Sequence, residues 1–319
     1  MKRIAVLTSG GDAPGMNAAI RSVVRVGIYH GLEVIGIRRG YEGLLEGDFV
    51  EMTRSSVSDI LQRGGTILQT ARSPEFQENG GPEKAARILQ DRGIDSLIVI
   101  GGDGSFKGAK LLNDLGIPTI GVPGTIDNDL GYTDYTIGFY TAIETVMEAV
   151  GKLRDTSSSH GRMFVVEVMG RNCGDIALYA GVISGAENVI VPEVDYDMAE
   201  ICRSVIQGQE RGKNHHIILL SEGVTDANAF TKELSECSGY PARLAVIGHL
   251  QRGGSPTAFD RLLATQMGAK AVELLIHGKS GVAVGIRGNK LHCMEIDEAI
   301  GVRDRLNMNL YELAEILAK

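Results

Sequence analysis

The chain has 319 residues, 42 of them Gly, 8 Pro and none Trp, with 43% apolar and 23% charged residues. Gly at about 13% is nearly twice the usual ~7%; the remaining composition is that of an ordinary globular protein, which excludes a disordered chain, and the length suggests two domains. A formal charge of −8 argues against a nucleic-acid or anionic-membrane surface as partner.

The elements follow in chain order. Ile4–Leu7 reads as a first buried strand and runs into Gly10-Gly11-Asp12. Leu97–Ile100 runs into Gly101-Gly102-Asp103, and Thr119–Val122 into Pro123-Gly124-Thr125. A helical stretch over 137–154 leads to Phe164–Val168 and Met169-Gly170-Arg171. Ile217–Leu220 and Leu244–Ile247 end in Ser221-Glu222-Gly223 and Gly248-His249, and a second long helical stretch covers 257–277. Val- and Ile-rich runs separated by helical segments predict buried parallel strands joined by crossover helices, an α/β doubly wound pattern. Ligands of such sheets bind beyond the carboxyl ends of the strands, where these glycine turns lie.

No stretch approaches the ~20 apolar residues of a membrane span. Met1-Lys2-Arg3 and the short run after it lack the apolar core of a signal peptide. Cys173, Cys202, Cys237 and Cys293 are far apart in sequence, so neither a zinc site nor a disulfide frame is expected, and a reduced cytoplasmic interior fits.

Glycine before a helix start gives a phosphate both room and backbone N–H groups. Gly101–Ser105 has that form, with Gly10-Gly11 as a second wall. The P-loop pattern is absent, and Lys107 stands where a dinucleotide fingerprint needs its last glycine. Asp103 has two readings, a contact to Mg²⁺ on nucleotide phosphates or a helix cap. Asp127 and Asp129 after a strand are either a proton acceptor with its helper or turn formers. Arg171 and Arg252 follow strand exits, where guanidinium groups suit phosphate. His249 has no nucleophile or metal partner in the sequence, and His215-His216 is not a metal pair because adjacent strand residues face opposite ways. Arg21 and Arg25 share a helix face. Arg154, Arg211 and Lys213 stand near helix ends, where cations answer the helix dipole.

Together Gly10–Asn17, Gly101–Ser105, Pro123–Asp129, Met169–Arg171 and His249–Gly254 resemble the bacterial ATP-dependent 6-phosphofructokinases over essentially the whole chain. The resemblance implies two Rossmann-like α/β/α domains with mainly parallel sheets and an active site in the cleft between them. An ATP-binding domain would take 1–138 plus 252–301, and a fructose 6-phosphate domain 139–251 plus 302–319. It implies transfer of the γ-phosphoryl group of MgATP to the 1-hydroxyl of fructose 6-phosphate, the committed step of glycolysis. Asp127 matches the base and Arg171 the cation on the transferring group. Thr125, Gly11 and Arg72 match positioning residues, and Asp103 the Mg²⁺ contact.

By the same resemblance Gly11, Tyr41, Arg72, Gly102, Asp103, Gly104, Ser105 and Gly108 are nucleotide-side. Thr125, Asp127, Asp129, Met169, Gly170, Arg171, Glu222, His249 and Arg252 line the sugar-phosphate pocket, with Arg162 and Arg243 from a neighbouring subunit of a homotetramer. Arg21, Arg25, Arg54, Asp59, Arg154, Gly185, Glu187, Arg211 and Lys213 match a site for ADP as activator and phosphoenolpyruvate as inhibitor. The chain departs from its relatives at Asn214, often Lys there, and at Ser73 and Gln77 on the nucleotide side. The nearest alternative, a pyrophosphate-dependent phosphofructokinase, typically carries Asp and Lys where this chain has Gly104 and Gly124. A nucleotide sensor without catalysis is disfavoured by the presence of Asp127 and Arg171, and a nicotinamide dehydrogenase by the missing fingerprint.

Overall fold

The apolar runs become the interior strands of two sheets in a computed structural model that describes residues 1–78, 80–213, 215–302 and 306–318. The chain divides into two units, Met1–Ile126 with Leu130–Thr141 and Arg252–Asp304, and Asp127–Asp129 with Ala142–Gln251 and Arg305–Lys319.

The first unit begins with β1 (Arg3–Thr8), α1 (Met16–Tyr29), β2 (Glu33–Ile37), α2 (Gly40–Glu46) and β3 (Phe49–Met52). It continues through α3 (Pro74–Gln77), α4 (Gly81–Asp91), β4 (Ser96–Gly101), α5 (Asp103–Asp114) and β5 (Thr119–Pro123). Helix α6 (Phe139–His160) starts in this unit and ends in the second. There follow β6 (Met163–Val168), α7 (Asp175–Ser184), β7 (Asn188–Ile190), α8 (Met198–Glu210), β8 (His216–Ser221), α9 (Ala227–Ser238), β9 (Ala242–Val246) and a 3₁₀ turn at Gly248–Arg252. The first unit resumes with α10 (Ala258–Ile276), β10 (Val282–Arg287), β11 (Lys290–Glu295) and α11 (Ile296–Gly301), and α12 (Met308–Ala318) belongs to the second.

The larger sheet has the order β11-β10-β5-β4-β1-β2-β3, parallel from β10 to β2 with an antiparallel strand at each edge. The smaller sheet, β7-β8-β6-β9, is parallel throughout. Central strands are covered on both faces: Leu97, Ile98, Val99 and Ile100 of β4 are fully buried, each stabilising the fold by up to about 1.5–3 kcal/mol. The sequence omits β2, β3, β7, β10 and β11. Two of these are mixed-composition edges, β7 has three residues, and Gly285 interrupts the apolar run of β10.

Helix α10 starts where Thr257 accepts the Asp260 amide at its N-cap. Helix α6 starts after Gly138, whose φ of +104° admits glycine readily, and runs on to His160, past the expected end at Arg154. The expectation of no disulfide is corrected. Packing of α8 against α9 brings Cys202 and Cys237, 35 residues apart in sequence, to a Cα separation of 6.2 Å, and they are bonded. Sequence spacing carries no record of that helix contact. Among the described residues, Cys173 and Cys293 take part in no disulfide. Among the described residues no helix is long and apolar enough to cross a membrane.

Candidate active and effector sites

In the first unit β5, β4 and β1 are adjacent, so the loops after Pro123, Gly101 and Thr8 leave the sheet side by side. Gly102 is the N-cap of α5 in an extended conformation without a side-chain cap, and since Ser105 N donates to Gly102 O at 3.0 Å, the amides left to face outward are those of Asp103 and Gly104. Asp103 is therefore not the cap. It opens the helix with its carboxylate 2.6 Å from Lys107 Nζ.

Tyr41 supports this turn from beneath. Its hydroxyl donates to Ser105 O at 2.6 Å, its ring stacks on Phe76 at 4.1 Å, and a Cβ on Gly108 would press into that ring. Burial pushes the Tyr41 phenol well above its usual range, so it stays a neutral donor. Exposed Arg72 precedes α3, and the neighbouring Ser73 caps that helix by accepting from Phe76 N.

Gly11 has a steric reason to lack a side chain. A Cβ there would lie inside the guanidinium of Arg252, whose Nη1 donates to Asp12 O at 3.1 Å. The structure thus brings Arg252 to the first glycine turn within one unit.

In the second unit Asp127 is 2% exposed, and its Oδ2 lies 3.4 Å from Nε of Arg171, a side chain 65% exposed. Arg171 holds a left-handed φ of +54°, sparsely populated by non-glycine residues. Glu222 accounts for it: its Oε1 accepts from Arg171 N at 3.0 Å and Gly170 N at 3.3 Å, and Gln251 Oε1 accepts from Met169 N at 3.3 Å. The turn that presents Arg171 is therefore tied to the ends of β8 and β9. Asn128 donates to Asp175 Oδ2 at 2.8 Å, seating the Asp127 loop on the start of α7. Burial, reinforced by Glu222 and Asp226, pushes the Glu167 carboxyl up.

Arg162 and Arg243 are not brought to this pair. They stand at the amino ends of β6 and β9, where Met163 registers with Ala242 and Phe164 with Arg243, whereas Met169–Arg171, Glu222 and His249 follow the carboxyl ends. Five or six residues at ~3.3 Å each separate the two ends by roughly 17–20 Å.

The expected effector residues fall into two sets. In the first unit Arg21 and Arg25 share α1, and Arg25 donates to Arg54 O at 3.4 Å; Asp59 has φ +55°. In the second unit Glu187, 5% exposed, gathers Lys213 at 2.9 Å, His215 at 3.7 Å and Arg154 at 4.0 Å. Arg154 lies inside α6 and donates to Ser184 O and Gly185 O, so it answers the carboxyl end of α7, not of its own helix. Arg211 caps α8. Asn214 lies outside the described residues.

The two adjacent histidines diverge. His215 faces Glu187, and His216 Nε2 lies 2.9 Å from Asn188 Oδ1. Burial pushes His216 down to about 4, opposed by Glu187 and assisted by Lys213 and His215. The unfolded chain, with the usual value of 6.5, binds the extra proton first, so stability is full above 6.5 and falls towards pH 4. Going from pH 7 to 5 costs about 2 kcal/mol from this residue. In His216→Gln that increment disappears, as read from urea midpoints at the two pH values.

Residues 3–275 match the family model Phosphofructokinase. The chain belongs to the phosphofructokinase family. It is 60% identical over 319 residues to an ATP-dependent 6-phosphofructokinase of Clostridium botulinum, each chain fully covered. Among solved structures, phosphofructokinase from Saccharomyces cerevisiae aligns with a TM-score of 0.91 and 36% identity over 98% of this chain; the chain spans about half, 50%, of that one. A pyrophosphate-dependent phosphofructokinase from Marinobacter aquaeolei aligns at TM-score 0.86 and 22% identity, over 97% of this chain and 86% of that one, a likeness of fold alone.

Because members of this family share the fold across phosphoryl donors, donor choice has to be read from single positions. A Cβ on Gly104 would meet nothing within 4 Å, so the glycine leaves open space beside the α5 turn. Gly124 differs: a Cβ there would come within 3.0 Å of Ile100 and 3.2 Å of Met16, so packing alone accounts for it. Of the two glycines, Gly104 carries the argument about the donor. Sequence reasoning missed Gln251 and Glu193, which accept the amides of Met169 and Gly174. Gln251 lies inside the His249–Gly254 motif without a role read for it, and Glu193 lies in none of the motifs.

Proposed function

We propose that the chain is an ATP-dependent 6-phosphofructokinase that converts fructose 6-phosphate and ATP into fructose 1,6-bisphosphate and ADP. The observation that carries this reading is the buried Asp127 carboxylate beside the exposed Arg171 guanidinium, in a chain of this family. Asp127 takes the proton of the sugar 1-hydroxyl as its oxygen bonds to the γ-phosphorus and the bond to the ADP oxygen breaks. Arg171, held by one long contact and otherwise open, turns onto the equatorial oxygens of the transferring group, where charge builds up. Glu222 and Gln251 fix the turn that presents it, and Thr125 positions the reacting groups.

The first unit is assigned to the nucleotide, with phosphates over the outward amides of Asp103 and Gly104 and beside Gly11, and the second to the sugar phosphate. Mg²⁺ fits this chain. Asp103 supplies the single carboxylate that the ion commonly takes from protein alongside phosphate oxygens, and its present partner Lys107 sits on a flexible, exposed stem. When bound, the ion neutralises phosphate charge.

The placement of Arg162 and Arg243 at the wrong end of their sheet supports a homotetramer in which a second copy supplies them. Arg154, Gly185, Glu187, Arg211 and Lys213 with Arg21, Arg25, Arg54 and Asp59 form the effector site for ADP and phosphoenolpyruvate. We place the enzyme in the cytoplasm, as suits its substrates.

A coupled assay with either donor tests the reading. ATP should support turnover, with sigmoidal fructose 6-phosphate saturation that ADP makes hyperbolic and phosphoenolpyruvate shifts to higher substrate. Turnover with pyrophosphate but none with ATP would reassign the donor, and superimposable curves would remove the effector assignment.

A further inference from the structure

Asp260 is fully buried, yet neither the base, the phosphate loops nor the effector cluster uses it. A buried carboxylate is costly unless hydrogen-bonded on all sides, and this one is. Its Oδ1 accepts from Gly138 N at 2.9 Å; Oδ2 accepts from Thr141 N at 2.8 Å and Thr141 Oγ1 at 2.6 Å, with Thr257 Oγ1 at 3.4 Å. Four donors converge on one side chain at the first turn of α6.

The segment so anchored makes a second set of bonds immediately upstream. Ile137 N donates to Pro123 O at 2.9 Å, Ile137 bridges to Gly124, and Thr136 Oγ1 donates to Thr125 O at 2.7 Å with both residues buried. Residues 136–141 thus form a strap pinned to Asp260 at one end and to the backbone of the Pro123–Thr125 exit at the other. If Asp260 served only to start α6, Gly138 and Thr141 would suffice, and nothing would follow for Thr125.

We propose that Asp260 is a positioning residue for phosphoryl transfer, holding the strap so that Thr136 clamps the Thr125 carbonyl and fixes the loop that carries Thr125 and Asp127. This rests on the reading that this loop performs the transfer. The effect is on geometry in the reacting complex, so it falls on kcat.

Thr136→Val, Asp260→Asn and the double variant are compared by kcat, by KM for both substrates and by thermal midpoint, with Asp127→Ser alongside. Folded Thr136→Val should lose about tenfold in kcat and Asp260→Asn about 10- to 100-fold, since small misplacements of reacting groups cost that much, with KM for ATP within about threefold. The double variant should be no slower than Asp260→Asn, because both act through one strap. Wild-type kcat in folded Thr136→Val, or losses that multiply in the double variant, would overturn the proposal. Should Asp260→Asn not fold, Thr141→Val replaces it, with a kcat loss in both threonine variants expected and wild-type kcat in both decisive against. Full activity in Asp127→Ser would instead overturn the reading of the loop.

Discussion

Asp127→Ser should reduce kcat by about 10²- to 10⁴-fold, the range for loss of a positioned general base, while fructose 6-phosphate still binds. The carboxylate is 2% exposed, so water cannot readily take over its role as proton acceptor. The serine variant removes the charge without adding volume and leaves Asn128 bonded to Asp175, which keeps the loop seated. Binding should survive because, in the proposed site, the sugar phosphate is held by other residues. Single-turnover kinetics and equilibrium binding separate the two quantities. The two outcomes that count against Asp127 as base are a kcat within a fewfold of wild type and loss of binding in parallel with turnover.

A mixture of two inactive variants should regain activity. In the proposed assembly Arg162→Ser damages what one chain lends to its neighbour, whereas Asp127→Ser damages what a chain keeps for itself. When the two are co-refolded in equal amounts, a site is intact if it pairs the Asp127 of one variant with the Arg162 of the other, which random association gives about a quarter of the time. Specific activity should therefore rise from near zero to roughly a quarter of wild type, a gain of about 25-fold or more over the Asp127→Ser parent given the loss expected above. A mixture no more active than the mean of its parents would mean that each chain builds its own pocket. The geometric argument behind this is the separation along β6 and β9, which no side-chain rotation spans.

The sequence discloses the central strands, because β1, β4 and β8 carry continuous apolar runs and β5 and β6 runs broken only at Gly121 and Glu167, each followed closely by glycine or small polar residues. It also places Gly102, Asp103, Asp127 and Arg171 at strand ends, where open α/β sheets bind ligands. The edges escape it: β3 and β11 mix charged and apolar residues because one side of each pairs with nothing, and their pattern is that of a loop. Asp260 reads as one more acidic residue inside a helical stretch, since its partners lie 119 and 122 residues away. Cys202 and Cys237 escape for the same reason. Arg154 reads as the end of its own helix and proves to bind the end of another. The roles of Arg162 and Arg243 come from family resemblance, and only the strand register reveals that they lie at the opposite end of the sheet from Arg171.

Glu187 gives the proposed effector cluster an occupant of its own. Lys213, His215 and Arg154 already answer a buried carboxylate, so an arriving anion competes with an internal rival instead of entering a bare cationic cavity. Its measured affinity is what remains after that rival has been displaced or has shared its partners. An effector that brings a positive charge to satisfy the released carboxylate escapes this cost, whereas a bare anion bears all of it. If effectors bind there as proposed, the same pocket distinguishes two anions of similar shape by what accompanies them, and one buried glutamate sets the threshold at which each is felt.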